Sequence, residues 1–187
     1  MTKRLTKIGV NPDFQELSSF VHELPTVFET GGKVIYKGRN ELKEFDVEGK
    51  KLIVKSYQLP HLLNRIIYNF FRASKAKRSY SYALMLRKLG IGSPAPVGYY
   101  STGSWLLFGR SYFVCLKSDC PYTYRDFEKT VFPNQEQILR AIARTTAMLH
   151  ENGLLHKDYS AGNILFRTID EKVEVAVSYT HLTLPTT

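Results

Sequence analysis

The chain has 187 residues, is 43% hydrophobic and carries a formal net charge of +9, a length for one domain, or one and part of another, with apolar content ample for a core. Its two cysteines, Cys115 and Cys120, are too few for a disulfide framework or a zinc site and fit a reducing compartment. No apolar run approaches the roughly 20 residues of a membrane span and no apolar h-region follows Met1-Thr2-Lys3-Arg4-Leu5-Thr6-Lys7, so a cytoplasmic location is expected, and neither an internal repeat nor a low-complexity tract is present.

In chain order, residues 1–24 form an extension, with a strand or short helix around Phe14–His22. Lys33–Lys37 is strand-like, and Gly38-Arg39-Asn40 turns it into Glu41–Phe45, a hairpin whose turn could cover phosphates with backbone N–H groups. Lys51-Leu52-Ile53-Val54-Lys55 follows as a buried strand ending in a lysine. His61–Arg72 reads as an amphipathic helix with Leu62, Leu63, Ile66, Ile67 and Phe70 on one face, followed by the cations Arg72, Lys75, Lys77 and Arg78. It is either packed on a sheet or a membrane-surface element. A helix is expected over about Ser74–Leu89, then strands at Pro96–Tyr100 and Ser111–Leu116. Asp126, in Tyr124-Arg125-Asp126-Phe127, is expected to cap or solvate a helix and not to bind substrate. Gln137–His150 is an amphipathic helix, started by Pro133-Asn134 and stopped by Asn152-Gly153.

His156-Lys157-Asp158-Tyr159-Ser160-Ala161-Gly162-Asn163 comes next, running into the apolar Ile164-Leu165-Phe166. His-x-Asp, four residues, then Asn before a strand is the spacing of a kinase-type catalytic loop. Phosphoryl transfer needs a carboxylate beside the attacking hydroxyl and an amide oxygen on the metal nearby. A tight loop can aim Asp158 and Asn163 into one site. Gly162 lets the backbone turn before the strand, and His156 is placed to brace the loop from behind. Such a spacing also suits a plain polar turn. The preceding helix, and the order of Lys55 relative to Asp158, favour phosphoryl transfer. Lys55 is then the candidate for the ATP α- and β-phosphates, with an ordinary strand-edge lysine as the plainer alternative.

With these stretches in view, the chain resembles the bacterial lipopolysaccharide-core kinases, the Kdo/heptose kinase group of the protein-kinase-like superfamily. The resemblance spans roughly residues 25–176 and rests on Tyr36–Asn40, Ile53–Tyr57, Ser74–Tyr80, Leu89–Val97 and His156–Phe166. It implies an α+β, protein-kinase-like two-lobe fold: an N-lobe over 25–117, a hinge at Lys117-Ser118-Asp119 and a partial C-lobe over 118–176. It also implies ATP and Mg²⁺ as cofactors and a lipopolysaccharide or glycolipid acceptor, with peripheral contact at the inner membrane. By resemblance Asp158 is the base-like carboxylate, assisted by Lys55 and His156. Asn163 is a metal ligand, and Lys55 with Gly38, Arg39 and Asn40 holds the nucleotide.

Three departures shape the expectation. Ser160 stands two residues after Asp158, where protein Ser/Thr kinases usually carry a lysine, which favours a sugar or small-molecule acceptor. No acidic residue occurs from Gly49 to Ser118, so the expected helix over 74–89 offers no carboxylate to Lys55. The second metal-binding aspartate, expected on the turn after Val173-Glu174-Val175, is absent. Val177–Thr187 reads as the translation of a common transposase sequencing adapter, which makes it non-native, the fold truncated after the catalytic loop and this chain an inactive fragment. The basic stretch between Lys50 and Lys117 suits ATP, an anionic acceptor or an anionic membrane surface. Nucleic acid is not expected, since no zinc-finger, RNP or helix-turn-helix signature occurs. The alternatives are a kinase of the aminoglycoside or choline type, a protein kinase, and a pseudokinase-like binding protein.

Overall fold

Alternation shapes the strand that carries Lys55. In Lys50–Tyr57 (β4), Leu52 and Val54 are fully buried while Lys51 is exposed, the period-2 pattern of a pleated strand. The computed structural model describes residues 5–58, 73–103, 108–156, 159–170, 172–178 and 182–183. The helix expected over 61–72 lies outside the described residues, as do Lys157 and Asp158. The chain divides into two units, residues 1–81 with 96–117 and residues 82–95 with 118–187.

In the first unit, β1 (Leu5–Val10), β2 (Lys33–Lys37), β3 (Glu41–Val47), β4, β5 (Pro96–Gly103) and β6 (Phe108–Leu116) form one antiparallel sheet, ordered β1-β5-β6-β4-β3-β2. A 3-10 turn over Pro12–Leu17, α1 (Ser18–His22) and α2 (Leu24–Thr30) cover it. They bury Leu17, Val21, Leu24 and Phe28 in one cluster with Leu52, Val54, Val97, Tyr112 and Val114. Each such side chain contributes roughly 1.5–3 kcal/mol on burial. The stretch before residue 25 thus supplies an edge strand and part of this core. Lys43 closes α2: its ammonium donates to the Phe28 carbonyl at 2.5 Å and the Gly31 carbonyl at 3.2 Å. A cation there satisfies the last carbonyls and suits the helix dipole. The outer strand β2 is exposed throughout, with Lys33 and Lys37 at its ends, charges that discourage edge-to-edge pairing.

Lys75–Lys88 forms α3, inside the span the sequence suggested. Gly90 ends it at φ +70°, and the Ile91 amide donates to the Leu86 carbonyl at 2.9 Å, a left-handed helix stop that favours glycine. Gly92 is required for a different reason: a Cβ there would lie 2.1 Å from the Val175 carbonyl oxygen.

The second unit is built on α5 (Gln135–Glu151), whose Ile138, Ile142 and Leu149 form a buried stripe at helical spacing. Ile138 and Ile142 cluster with Ile164 and Phe166 of β9 (Ile164–Ile169). β9 is the centre of a three-stranded antiparallel sheet, flanked by β10 (Lys172–Val177) and β7 (Tyr122–Thr123). Phe166 is fully buried, with its ring centroid 5.3 Å from Phe132 and 5.6 Å from Tyr122. The short α4 (Tyr124–Phe127) starts at Thr123, whose amide and hydroxyl both donate to the Asp126 carboxylate, at 2.8 and 2.7 Å. Asp126 is therefore a cap, as the sequence indicated. β8 (Leu155–His156) pairs with β11 (Leu182–Thr183). β10 runs one residue past Ala176, and Val177 is fully buried. No helix among the described residues is long and apolar enough to cross a membrane.

Candidate functional site

The lysine region lies in the first unit. Lys55 stands opposite Leu42 of β3 and Phe113 of β6 in the sheet register. Tyr57 is two residues on, so both side chains leave the same face of β4. The Lys55 ammonium sits over the Tyr57 ring, 5.4 Å from its centroid. The Tyr57 hydroxyl is 2.7 Å from the Ser79 hydroxyl of α3, in a buried hydrogen bond. Burial pushes the Tyr57 phenol well above its ordinary value, against the Ser79 hydrogen bond, so it stays neutral.

Gly38-Arg39-Asn40 is the turn between β2 and β3, as its residue types suggested. Its Gly38 amide is used within the turn, donating to the Asn40 carbonyl at 3.1 Å. The Asn40 side-chain oxygen accepts from the Gln58 amide at 3.3 Å, which ties the turn to the end of β4. Burial, then Arg39, then Arg78 hold the Lys75 ammonium below its ordinary value. The stretch from Gly49 to Ser118, without a carboxylate, thus crowds cations near the hairpin turn, a field that favours an anion.

The loop region lies in the second unit. The Asn163 amide donates to the Ser160 carbonyl at 2.8 Å, closing the turn before β9. The Asn163 side-chain nitrogen donates to the Ser160 hydroxyl at 3.1 Å. Ser160 thus has a local task of its own, at the position where a lysine would reach a phosphate. Tyr159 ties the loop to α5: its hydroxyl is 2.7 Å from that of Thr146, which also meets the Ile142 carbonyl at 2.8 Å. Burial raises the Tyr159 phenol above its ordinary value. The His156 ring lies 5.5 Å from the Tyr159 ring, and its Nε2 meets the Ser178 carbonyl. The Ser178 amide in turn donates to the Asn163 carbonyl at 2.9 Å. His156 and Asn163 are therefore joined through the backbone of residue 178. Asp158 lies outside the described residues.

Sequence reasoning missed three participants. Tyr57 and Ser79 are 22 positions apart and gave no joint signal. Arg125 donates its amide to the Ala161 carbonyl at 3.1 Å, and its guanidinium lies 3.5 Å from where a Cβ on Gly162 would stand. An exposed cation is thus held beside the loop. For a metal, the Asn163 amide oxygen is a hard donor of the kind Mg²⁺ accepts. Among the described residues no group of three or more His, Cys, Asp or Glu could hold a metal ion.

An antiparallel sheet with its helices, followed by a helix, a polar loop and a strand pair, defines an α+β fold of kinase-like type. The structure of WaaP in complex with acyl carrier protein has a similar fold, with a TM-score of 0.68 over 96% of this chain and 73% of that one. The two sequences are 17% identical, so the likeness is one of fold. No family model and no curated protein matches the chain.

Proposed function

We propose that the protein is built for ATP-dependent phosphoryl transfer to a sugar hydroxyl of a lipopolysaccharide core. The observation that carries this is the turn Ser160–Asn163 before β9, which hydrogen bonds from the Asn163 amide and side chain to Ser160 close tightly, on a kinase-like fold. Lys55 meets the nucleotide phosphates and the turn at Gly38, Arg39 and Asn40 covers them. Asp158 orients the acceptor hydroxyl and takes its proton late in transfer. His156 holds the loop's shape through Ser178 and Tyr159. Asn163 supplies one oxygen to Mg²⁺, which with ATP provides charge neutralisation on the phosphates. The sugar acceptor follows from the family resemblance and from Ser160, which is engaged with Asn163 instead of a γ-phosphate. We place the protein in the cytoplasm, in peripheral contact with the inner membrane where its acceptor lies. The complex that WaaP forms with acyl carrier protein makes a carrier protein a further candidate partner.

A second reading, a nucleotide-binding protein without transfer, is favoured by one observation: among the described residues no group of three or more His, Cys, Asp or Glu could hold a metal ion. The test uses the Ser178→Asp protein, which places a carboxylate on the residue joined to Asn163. It is incubated with γ-labelled ATP, Mg²⁺ and, separately, lipopolysaccharide core, an aminoglycoside, choline and a protein substrate. Label in the lipopolysaccharide core alone is expected. Label confined to another acceptor would replace the proposed one, and Mg·ATP binding with no label anywhere would establish the second reading.

A further inference from the structure

In the segment Thr123–Phe127 the residues around Arg125 all have structural tasks. The Thr123 amide and hydroxyl donate to the Asp126 carboxylate, which caps α4. Tyr124 and Phe127 turn inward, with their rings stacked at 5.5 Å and packed against the cluster of Ile138, Ile142, Ile164 and Phe166. Arg125 differs. Its backbone amide donates to the Ala161 carbonyl at 3.1 Å, while the residue itself is exposed. The fold thus fixes where the side chain starts and leaves its charged end open to water.

That end lies over the turn Ser160–Asn163. Its Nη2 and Cζ stand 3.5 and 3.8 Å from the place that a Cβ on Gly162 would occupy. The planar group therefore rests against a residue without a side chain, next in sequence to Asn163. The loop brings no charge of its own here: Tyr159 to Leu165 contains no Asp, Glu, Lys or Arg. Ser160, where a lysine would supply a cation, is bonded to Asn163. The adjacent carboxylate, Asp126, is committed to Thr123. A guanidinium presents its donors in a rigid fork that matches carboxylate and phosphate oxygens two at a time. Held beside a neutral turn and open to solvent, it suits an oxyanion on the molecule that the loop receives.

We propose that Arg125 is an acceptor-binding residue: its guanidinium pairs with a carboxylate or phosphate on the sugar brought to the loop, so that the acceptor is an acidic sugar. The inference rests on the proposed sugar acceptor, and the test separates the two. Lipopolysaccharide core oligosaccharide is titrated calorimetrically into the wild-type chain, Arg125→Gln and Arg125→Lys. It is used intact, dephosphorylated, carboxyl-reduced, and with both modifications. Mg·ATP is titrated in parallel. Each variant keeps the backbone amide at 125, and with it the bond to Ala161. Arg125→Gln should bind the intact form about tenfold more weakly, the loss of one charge-assisted pair. Arg125→Lys keeps the charge without the fork and should fall between. The doubly modified form should bind all three proteins alike. The single modification that abolishes the difference names the group that Arg125 meets. Mg·ATP affinity should be the same in all three. An equal loss on the doubly modified form would show that Arg125 only shapes the loop, and an equal loss for Mg·ATP that it serves the nucleotide; either overturns the inference. Wild-type affinity of Arg125→Gln for the intact form also overturns it, while leaving the sugar acceptor intact. A wild-type chain that binds Mg·ATP but no form of the oligosaccharide would remove both.

Discussion

The lysine region and the loop region are held together in different ways. Around Lys55 the space next to β4 is closed by side chains: Tyr57 and Ser79 are buried and bonded to each other. Around Asn163 the neighbour is Ser178, and what joins it to Asn163 and His156 is its backbone amide and carbonyl. The first arrangement is a neutral, buried network that a new charge would disrupt. The second depends on main-chain groups that any residue can supply, so the side chain at position 178 can change without breaking them. An added acid should thus act in opposite ways at the two places.

The largest expected effect lies in the loop. In the Ser178→Asp protein, Asp158→Asn keeps the shape of the side chain and removes its charge. The transfer rate should fall by about two to four orders of magnitude, the range of a general acid–base group, with Mg·ATP affinity little changed. Equal rates in the two proteins would remove Asp158 from the chemistry.

Next comes the anchor of the loop region. Phe166 is fully buried among Phe132, Tyr122 and Phe127. Phe166→Ala should cost about 3–5 kcal/mol by urea unfolding. A loss below about 1 kcal/mol would mean that the strand after the loop is not held by this cluster.

The comparison itself is sharpened by two acidic substitutions measured side by side. Ser178→Asp should raise Mg·ATP affinity by about tenfold, since it adds an oxygen donor beside Asn163. Ser79→Glu should raise nothing and should lower stability, because it puts an unpaired carboxylate where Ser79 is 3% exposed. An affinity gain from Ser79→Glu would show that the Tyr57–Ser79 network tolerates a charge and that the two regions do not differ in this respect.

The smallest effect is a pH dependence. The amide and then the hydroxyl of Thr123 hold the Asp126 carboxyl below its ordinary value. Its contribution is present at and above the ordinary carboxylate range and is lost as pH falls through the depressed folded value. Asp126→Asn should therefore flatten the acid limb of the stability profile slightly and leave neutral pH nearly unchanged. A change of equal size at neutral and acid pH would show that packing of α4, and not this ionisation, is what the substitution disturbs.

Much of this was written locally. Ile138 and Ile142 at helical spacing, with Asn152-Gly153 as the stop, placed α5 to within two residues of its observed ends. The turn at Gly38–Asn40 and the strand at Lys51–Lys55 are equally local, and so is the Thr123–Asp126 cap. What escaped depends on distant pairing. β1 is an edge strand because Leu5–Val10 lines up with Gly98–Gly103, more than eighty positions away, and nothing in Leu5–Val10 specifies that partner. Tyr57–Ser79 escaped for the same reason, since a tyrosine on a strand and a serine on a helix are each unremarkable alone. Ser178 lies in the tail that reads as non-native in the sequence, yet its backbone links His156 to Asn163.

One calorimetric experiment reaches the central claim that Lys55 serves the nucleotide and Asn163 its metal. ATP is titrated into the wild-type chain, Lys55→Met and Asn163→Ala, first with Mg²⁺ and then with EDTA. The account predicts that Lys55→Met weakens binding in both conditions, and that Asn163→Ala weakens it only when Mg²⁺ is present. Wild-type affinity in both variants, or an Asn163→Ala defect of the same size in EDTA, would contradict it.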